Sequence, residues 1–201
     1  LGNITLQGGA GDDILWSNEG NDVVAGGRGN DIIDGGPGDD KLYGGNNNDD
    51  ITGGTGYDIL DGGKGNDTLH YTDDGDWAAG DYTLNLGSPN FFMDWTPVFL
   101  ENYNRSYDAF IGGKGTDTLI MTDGNDAIML EDQCTKNPNG KPTDARIIDV
   151  EIFYAGAGDD VINLTTPNHV YGDVKLYGED GNDFLWGNEG DDLIVGGAGW
   201  D

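Results

Sequence analysis

Gly-Gly-Ala-Gly-Asp-Asp-Ile-Leu-Trp (8–16), Ser-Asn-Glu-Gly-Asn-Asp-Val-Val-Ala (17–25) and Gly-Gly-Arg-Gly-Asn-Asp-Ile-Ile-Asp (26–34) set a nine-residue frame. The frame runs on through 35–43, 44–52, 53–61 and 62–70 without a slip. Its consensus is G-G-x-G-x-D-x-U-x, with U apolar. Glycines at positions one, two and four pack nothing and weaken a strand. The first six positions therefore read as a tight turn with inward carbonyls. Positions seven to nine read as a short strand whose middle residue faces inward. Two nines make one coil of strand, turn, strand, turn. The expected fold is all-β, a parallel β-roll in which odd units supply one sheet (Leu15, Ile33, Ile51, Leu69) and even units the other (Val24, Leu42, Leu60). A disordered Gly/Asn/Asp-rich linker would not lock its apolar residues to a period.

The aspartate at position six recurs as Asp13, Asp22, Asp31, Asp40, Asp49, Asp58 and Asp67, and later as Asp117, Asp126, Asp160, Asp183 and Asp192. Turn carbonyls plus a carboxylate are hard oxygen donors, the kind calcium gathers about six to eight at a time. These aspartates are the expected metal ligands, and several Ca2+ ions the expected cofactor, filling the turns between successive coils. The formal net charge of −29 over 201 residues points the same way. Self-repulsion of that size opposes compaction until cations relieve it. The chain should be largely unfolded without calcium and fold on binding it. Extracellular calcium modules work at about 10⁻⁴–10⁻³ M, which suits a location outside the cell.

The acidity disfavours nucleic acid and anionic lipid as partners, since both recruit basic patches. No stretch is long and apolar enough for a membrane span, so membrane insertion is not expected. Cys134 is the only cysteine, and no internal disulfide is available to the chain. Thr5-Leu6-Gln7 reads as the strand of a truncated unit, and the chain as part of a larger multi-domain protein.

At Tyr71 the frame frays, and the stretch 71–111 reads as an insertion. It holds Tyr71, Trp77, Tyr82, Phe91, Phe92, Trp95, Phe99, Tyr103, Tyr107 and Phe110, half of the aromatics in the chain. The frame returns at 112–120 and continues in 121–129. A second interruption, 130–154, holds a polar, turn-rich excursion over 130–145 and a strand-like run, Ile147 to Tyr154, that brings Phe153 back to position eight. Residues 155–163 are a regular unit. The stretch 164–177 is degenerate, with Val174 where an aspartate belongs, and 178–195 holds two good units. The whole of 1–201 is read as one roll with two interruptions.

Catalysis finds little support. His70 sits at an outward position nine, His169 in the degenerate stretch, and neither H-E-x-x-H nor G-x-S-x-G occurs. The acid pairs fall on the calcium period, so no enzyme is expected. The aromatic insertion is the sharper candidate, because long segments without a repeat are usually functional. Aromatics with a few polar groups make pockets and hot spots. Trp95, Tyr103, Arg105 and Tyr107 are the expected ligand-binding residues, with Asp76 and Trp77 at the junction with the roll. Arg105 suits a bidentate pair with a carboxylate. The alternative reading packs these aromatics as a small core on the side of the roll, and both arrangements are compatible.

Through Gly8–Leu69, Gly112–Ile128, Gly156–Ile162 and Gly178–Asp201, the chain resembles the RTX family of calcium-binding nonapeptide-repeat proteins. The resemblance implies a bacterial protein exported by type I secretion that folds on meeting external calcium. A roll interrupted by an aromatic segment is similar to the ligand-binding modules of large RTX adhesins. That narrower likeness implies calcium-dependent binding of a peptide, through a terminal carboxylate, on a host or partner cell surface. Two rival expectations stand beside it: a purely structural folding and secretion module of a toxin or hydrolase, and a glycan-binding module.

Overall fold

The computed structural model describes residues 2–74, 83–84, 98–99, 104–105, 108–130, 145–165 and 171–201. The first coils follow from the alternation of position eight with its neighbours. In Val23–Arg28 and Ile32–Pro37 the position-eight side chain is buried and those on either side are more open. One sheet stacks Thr5–Ala10, Val23–Arg28, Lys41–Asn46, Ile59–Lys64, Ala109–Lys114 and Ile147–Ile148 in parallel. Its inward column is Leu6, Val24, Leu42, Leu60, Phe110 and Ile147, each directly over the last. A second sheet stacks Ile14–Trp16, Ile32–Pro37, Asp50–Thr55, Thr68–His70, Thr118–Ile120, Ile152–Tyr154, Lys175–Asp180 and Leu193–Ala198. Its column begins Leu15, Ile33, Ile51, Leu69 and continues through Leu119, Phe153, Leu176 and Ile194.

Two expectations need correction. The glycines do not leave the strand: Val23–Arg28 and Ile59–Lys64 run on through positions one to three. Gly27 pairs with Gly9 below and Gly45 above. It does so at φ +119, where a Cβ would run into the Gly9 carbonyl oxygen. Glycine is required here by the closeness of successive coils, and that closeness is what carries the pairing into the turn. The roll is also not two-sided throughout. A third parallel sheet joins Asn104–Arg105, Asp126–Met129, Val161–Asn163 and Phe184–Trp186. Ile147, and not the position-eight residue Ile128, follows Phe110 in the first sheet, while Ile128 stacks with Ile162 in the third. The chain therefore passes from two faces to three around the interruptions. It returns to two when the first sheet ends at Ile147–Ile148.

The insertion leaves the stacking intact. Leu119 pairs with Leu69 and Gly113 with Gly63, so the roll resumes in register. Thr83–Leu84 and Val98–Phe99 form a small antiparallel pair. Two aromatics counted with the insertion belong to the core. Tyr71 is buried, stacks on Phe110 at 6.4 Å and donates its hydroxyl to the Ala127 carbonyl at 3.0 Å. Arg146, given no role from sequence, is also buried. Its Nε donates to the Asp108 carbonyl at 3.1 Å, and its guanidinium lies 5.9 Å from the centroid of the Phe110 ring.

Core and outer positions of one sheet should respond differently to truncation. Ile51 is fully buried, whereas Ile32 is 47% exposed. Ile51→Ala should lower the stability of the calcium-loaded fold by about 2–5 kcal/mol, and Ile32→Ala by no more than about 0.5 kcal/mol. Urea titrations in saturating calcium check the contrast.

Candidate metal centre

Each position-six carboxylate has two oxygens in different surroundings. In most of them one is tied to the coil before it. The Asp13 N–H donates to Asp31 Oδ1 at 2.8 Å, Asp31 to Asp49 at 2.8 Å, Asp49 to Asp67 at 2.8 Å and Asp67 to Asp117 at 2.8 Å. A second column runs from Ile4 N–H to Asp22, Asp40, Asp58 and then Asp108, at 2.7–2.9 Å. A third runs from Asp126 to Asp160, Asp183 and Asp201. One column precedes each sheet, so the carboxylates are fixed by the same stacking that fixes the strands.

The other oxygen has no donor. Oδ2 of Asp13, Asp22, Asp31, Asp40, Asp49, Asp58, Asp67, Asp117, Asp160 and Asp183 is buried without a hydrogen-bond partner. In every one of these units but those of Asp22 and Asp160, where Ser17 and Ala155 stand at position one, it faces the glycine of position one. A Cβ on Gly8 would meet Asp13 Oδ2 and the Gly26 carbonyl oxygen of the next coil. Gly35 relates in the same way to Asp40 and Gly53, and Gly178 to Asp183 and Gly196. The glycine leaves room between a bare carboxylate oxygen and a main-chain carbonyl oxygen. An unpaired buried acceptor costs about 1–3 kcal/mol, and more if charged, so a run of them demands a cation. Among the described residues no three His, Cys, Asp or Glu side chains gather at one point. Each turn instead offers a carboxylate with main-chain carbonyls, the oxygen-only donor set that suits calcium. The residues present therefore fit Ca2+.

Two of the twelve predicted aspartates are placed differently. Asp126 Oδ2 accepts from the Thr122 N–H at 2.7 Å and from its hydroxyl at 2.8 Å. Asp192 Oδ2 accepts from the Asn188 N–H at 2.9 Å. At Asp22 the position-one residue is Ser17, whose hydroxyl donates to the Gly35 carbonyl at 2.7 Å. The sequence reading also missed members. Asp108 and Glu151 hold ladder places outside the repeat, Glu151 Oε2 accepting from the Asp117 N–H at 2.8 Å. The signal was present: both stand two residues before an inward aromatic, Phe110 and Phe153. A second ladder at position five was missed as well. Asp12 Oδ1 accepts from Asn30 N–H, Asn30 from Asn48 and Asn48 from Asn66. It runs opposite in sense to the position-six ladder, and its trace in the sequence is the recurrence of Asn or Asp at a position read as free.

Of the predicted ligand-binding residues, Asp76, Trp77, Trp95, Tyr103 and Tyr107 lie outside the described residues, as do Cys134 and His169. The Arg105 backbone pairs with Ala127 at one end of the third sheet; its side chain lies outside the description. His70 is on the outer face of the second sheet, its Nε2 2.8 Å from Asp50 Oδ1.

Without an ion several of these carboxylates resist ionisation. Burial, with neighbouring carboxylates adding to it, pushes Asp40 up to about 6, Asp49 to about 7, and Asp58 and Asp160 to about 8. Asp67, Asp117 and Asp183 are raised by the same burial.

The family model for the RTX calcium-binding nonapeptide repeat (4 copies) matches residues 5–33, 17–51, 43–78, 105–129, 149–164 and 175–201. These matches cover well over half of the chain. No curated protein matches it.

Two outcomes follow from the carboxylates. A folded-state pKa above the unfolded 3.8 means that the ion-free fold binds more protons than the unfolded chain over the interval. Its stabilising contribution is complete below pH 3.8 and is lost as pH rises through about 6–8. In chelator, circular dichroism should therefore show β-structure gained on acidification from pH 8 to pH 4, while in millimolar calcium the fold should persist at pH 8. Asp49→Asn keeps an acceptor for Asp31 N–H but removes the charge. It should weaken the calcium-loaded fold by about 1–3 kcal/mol, with little or no loss in the chelated chain at neutral pH. Paired calcium and chelator titrations measure that difference.

Proposed function

The chain belongs to the RTX calcium-binding nonapeptide-repeat family, and on that premise we propose that it is a calcium-dependent ligand-binding module of a secreted bacterial adhesin. Calcium is its structural ion. The ligands are assigned to the position-six aspartates, foremost those with a bare buried Oδ2. The observation that carries the binding reading is the register across 71–108. Asp67 N–H donates to Asp117 Oδ1 over a separation of 50 residues, with the geometry that other coils keep over 18. The first two sheets thus keep their register across the segment they carry, as suits a scaffold presenting a variable binding element. The composition of that segment, rich in Trp, Tyr and Phe with Arg105 among them, supports an occupant with an apolar body and a carboxylate, such as a peptide C-terminus on another cell surface. Export by type I secretion and a place outside the cell accord with the family. The reading includes no enzymatic step.

A purely structural role in folding an upstream toxin or hydrolase is the alternative, and glycan binding a further one. An array of peptides and glycans, probed in millimolar calcium and again in chelator, separates them. Calcium-dependent capture of a narrow set of carboxylate-ended peptides is expected. Arg105→Ala should reduce that capture at least tenfold and leave the calcium-induced circular dichroism unchanged. A blank array from folded protein would favour the structural role, and capture confined to glycans would move the ligand class.

A further inference from the structure

The second sheet's carboxylate column passes through an irregular turn. Between the inward residues Phe110 and Leu119 the chain uses nine residues; between Ile147 and Phe153, one coil further on, it uses six. The intervening residues, Asp149, Val150 and Glu151, contain none of the repeat glycines. Asp149 makes the turn in the left-handed region, at φ +51. Even so, this short turn reproduces both features of a repeat site. Glu151 Oε2 accepts the Asp117 N–H at 2.8 Å, as an aspartate Oδ1 does elsewhere. A Cβ on Gly112 would meet Asp117 Oδ2 and the Asp149 carbonyl oxygen, as one on Gly8 would meet Asp13 Oδ2 and the Gly26 carbonyl. Asp117 is fully buried and its Oδ2 has no hydrogen-bond partner.

We propose that Asp117, the Asp149 carbonyl and Glu151 form a hybrid calcium site, half repeat and half not, that binds more weakly and exchanges faster than the repeat sites. Two observations set its character. In the next coil the ladder place of Glu151 belongs to Val174, which is buried and brings no carboxylate. The column is thus broken beyond this ion, and resumes only one coil later, where Asp192 Oδ1 accepts the Val174 N–H at 3.1 Å. Beside the turn lies a cavity of about 150 Å³, lined by Asp149, Val150, Glu151, Tyr171, Gly172 and Asp173. The Tyr171 hydroxyl closes one wall by accepting the Val150 N–H at 2.9 Å. At about 30 Å³ per water, the cavity has room for several water molecules. A calcium ion with fewer protein ligands and more water binds less tightly. The site would fill last as calcium rises and report its level over a range where the repeats are already saturated.

The inference rests on the calcium reading of the repeats, and its test separates the two. Calcium uptake by the whole chain is followed by isothermal titration calorimetry, with circular dichroism as the control for folding. Wild type should show a weak class of about one ion after the tight class. Glu151→Gln keeps an oxygen for the Asp117 N–H and removes the charge. It should weaken the last ion at least tenfold and leave the tight class and the circular dichroism as they were. Asp173→Asn, at an exposed residue, keeps an acceptor for the Asp191 N–H and should weaken the same ion two- to threefold. If Glu151→Gln fails to fold, Asp173→Asn decides. Unchanged uptake in the deciding variant overturns the hybrid site alone, whereas wild-type chain that takes up no calcium overturns the family reading as well.

Discussion

The structure depends on a conflict between burial and charge in the carboxylates of position six. In most of them one oxygen is held by a backbone N–H from the coil before, which brings the carboxylate into the turn. The other is left bare in a space that excludes water and offers no donor. A neutral chain would avoid such a place; this chain builds it repeatedly. Short of protonation at low pH, the conflict is resolved when a cation enters, so binding and folding become one event. The net charge of −29 makes the same point globally. Repulsion keeps the chain open until the ions that complete its turns are present.

Glycine is the geometric partner of that conflict. At position one it leaves the space that a Cβ would fill between carboxylate and carbonyl. At position two a positive φ and the approach of the neighbouring coil favour glycine, as at Gly27 against the Gly9 carbonyl, although Asn18 and Glu179 hold the same place at φ +70 and +69. The same residues that weaken a strand in isolation thus let coil pair with coil through the turn. Departures are informative for this reason. Ser17 places a hydroxyl on the Gly35 carbonyl, and Thr122 takes over the carboxylate of Asp126.

The period made the two inward columns and the position-six aspartates legible, because alternation and ligand chemistry are both local to nine residues. The third sheet was not legible. Whether Ile128 stacks on Phe110 or on Ile162 depends on where the chain returns after 130–145, and no local pattern carries that. The ladder roles of Asp108 and Glu151 were hidden for a related reason. Both lie outside an intact repeat, and only the stacking shows that they occupy repeat places. Arg146 gave no signal at all. A buried guanidinium over the Phe110 ring looks, in sequence, like any surface arginine in a polar stretch. The position-five ladder was visible as a column of Asn and Asp, but nothing local says that those side chains bond across coils.

The tolerance of the roll for a large insertion also has a quantitative basis. Each coil pairs only with its neighbours, so stability is close to a sum of local terms. Replacing an 18-residue spacing by one of 50 residues raises the closure entropy by about 1 kcal/mol. Losing register would instead expose an inward column on which each side chain is worth about 1.5–3 kcal/mol, and would break the carboxylate ladder as well. The balance favours looping the extra residues out and resuming the stack, which is what Leu119 on Leu69 and Phe110 on Leu60 show. A fold held together by ions and short-range stacking can therefore carry a long insertion at small thermodynamic expense. Its calcium requirement then extends to that segment, because both flanks of the insertion are anchored only when the coils beneath and above it have formed.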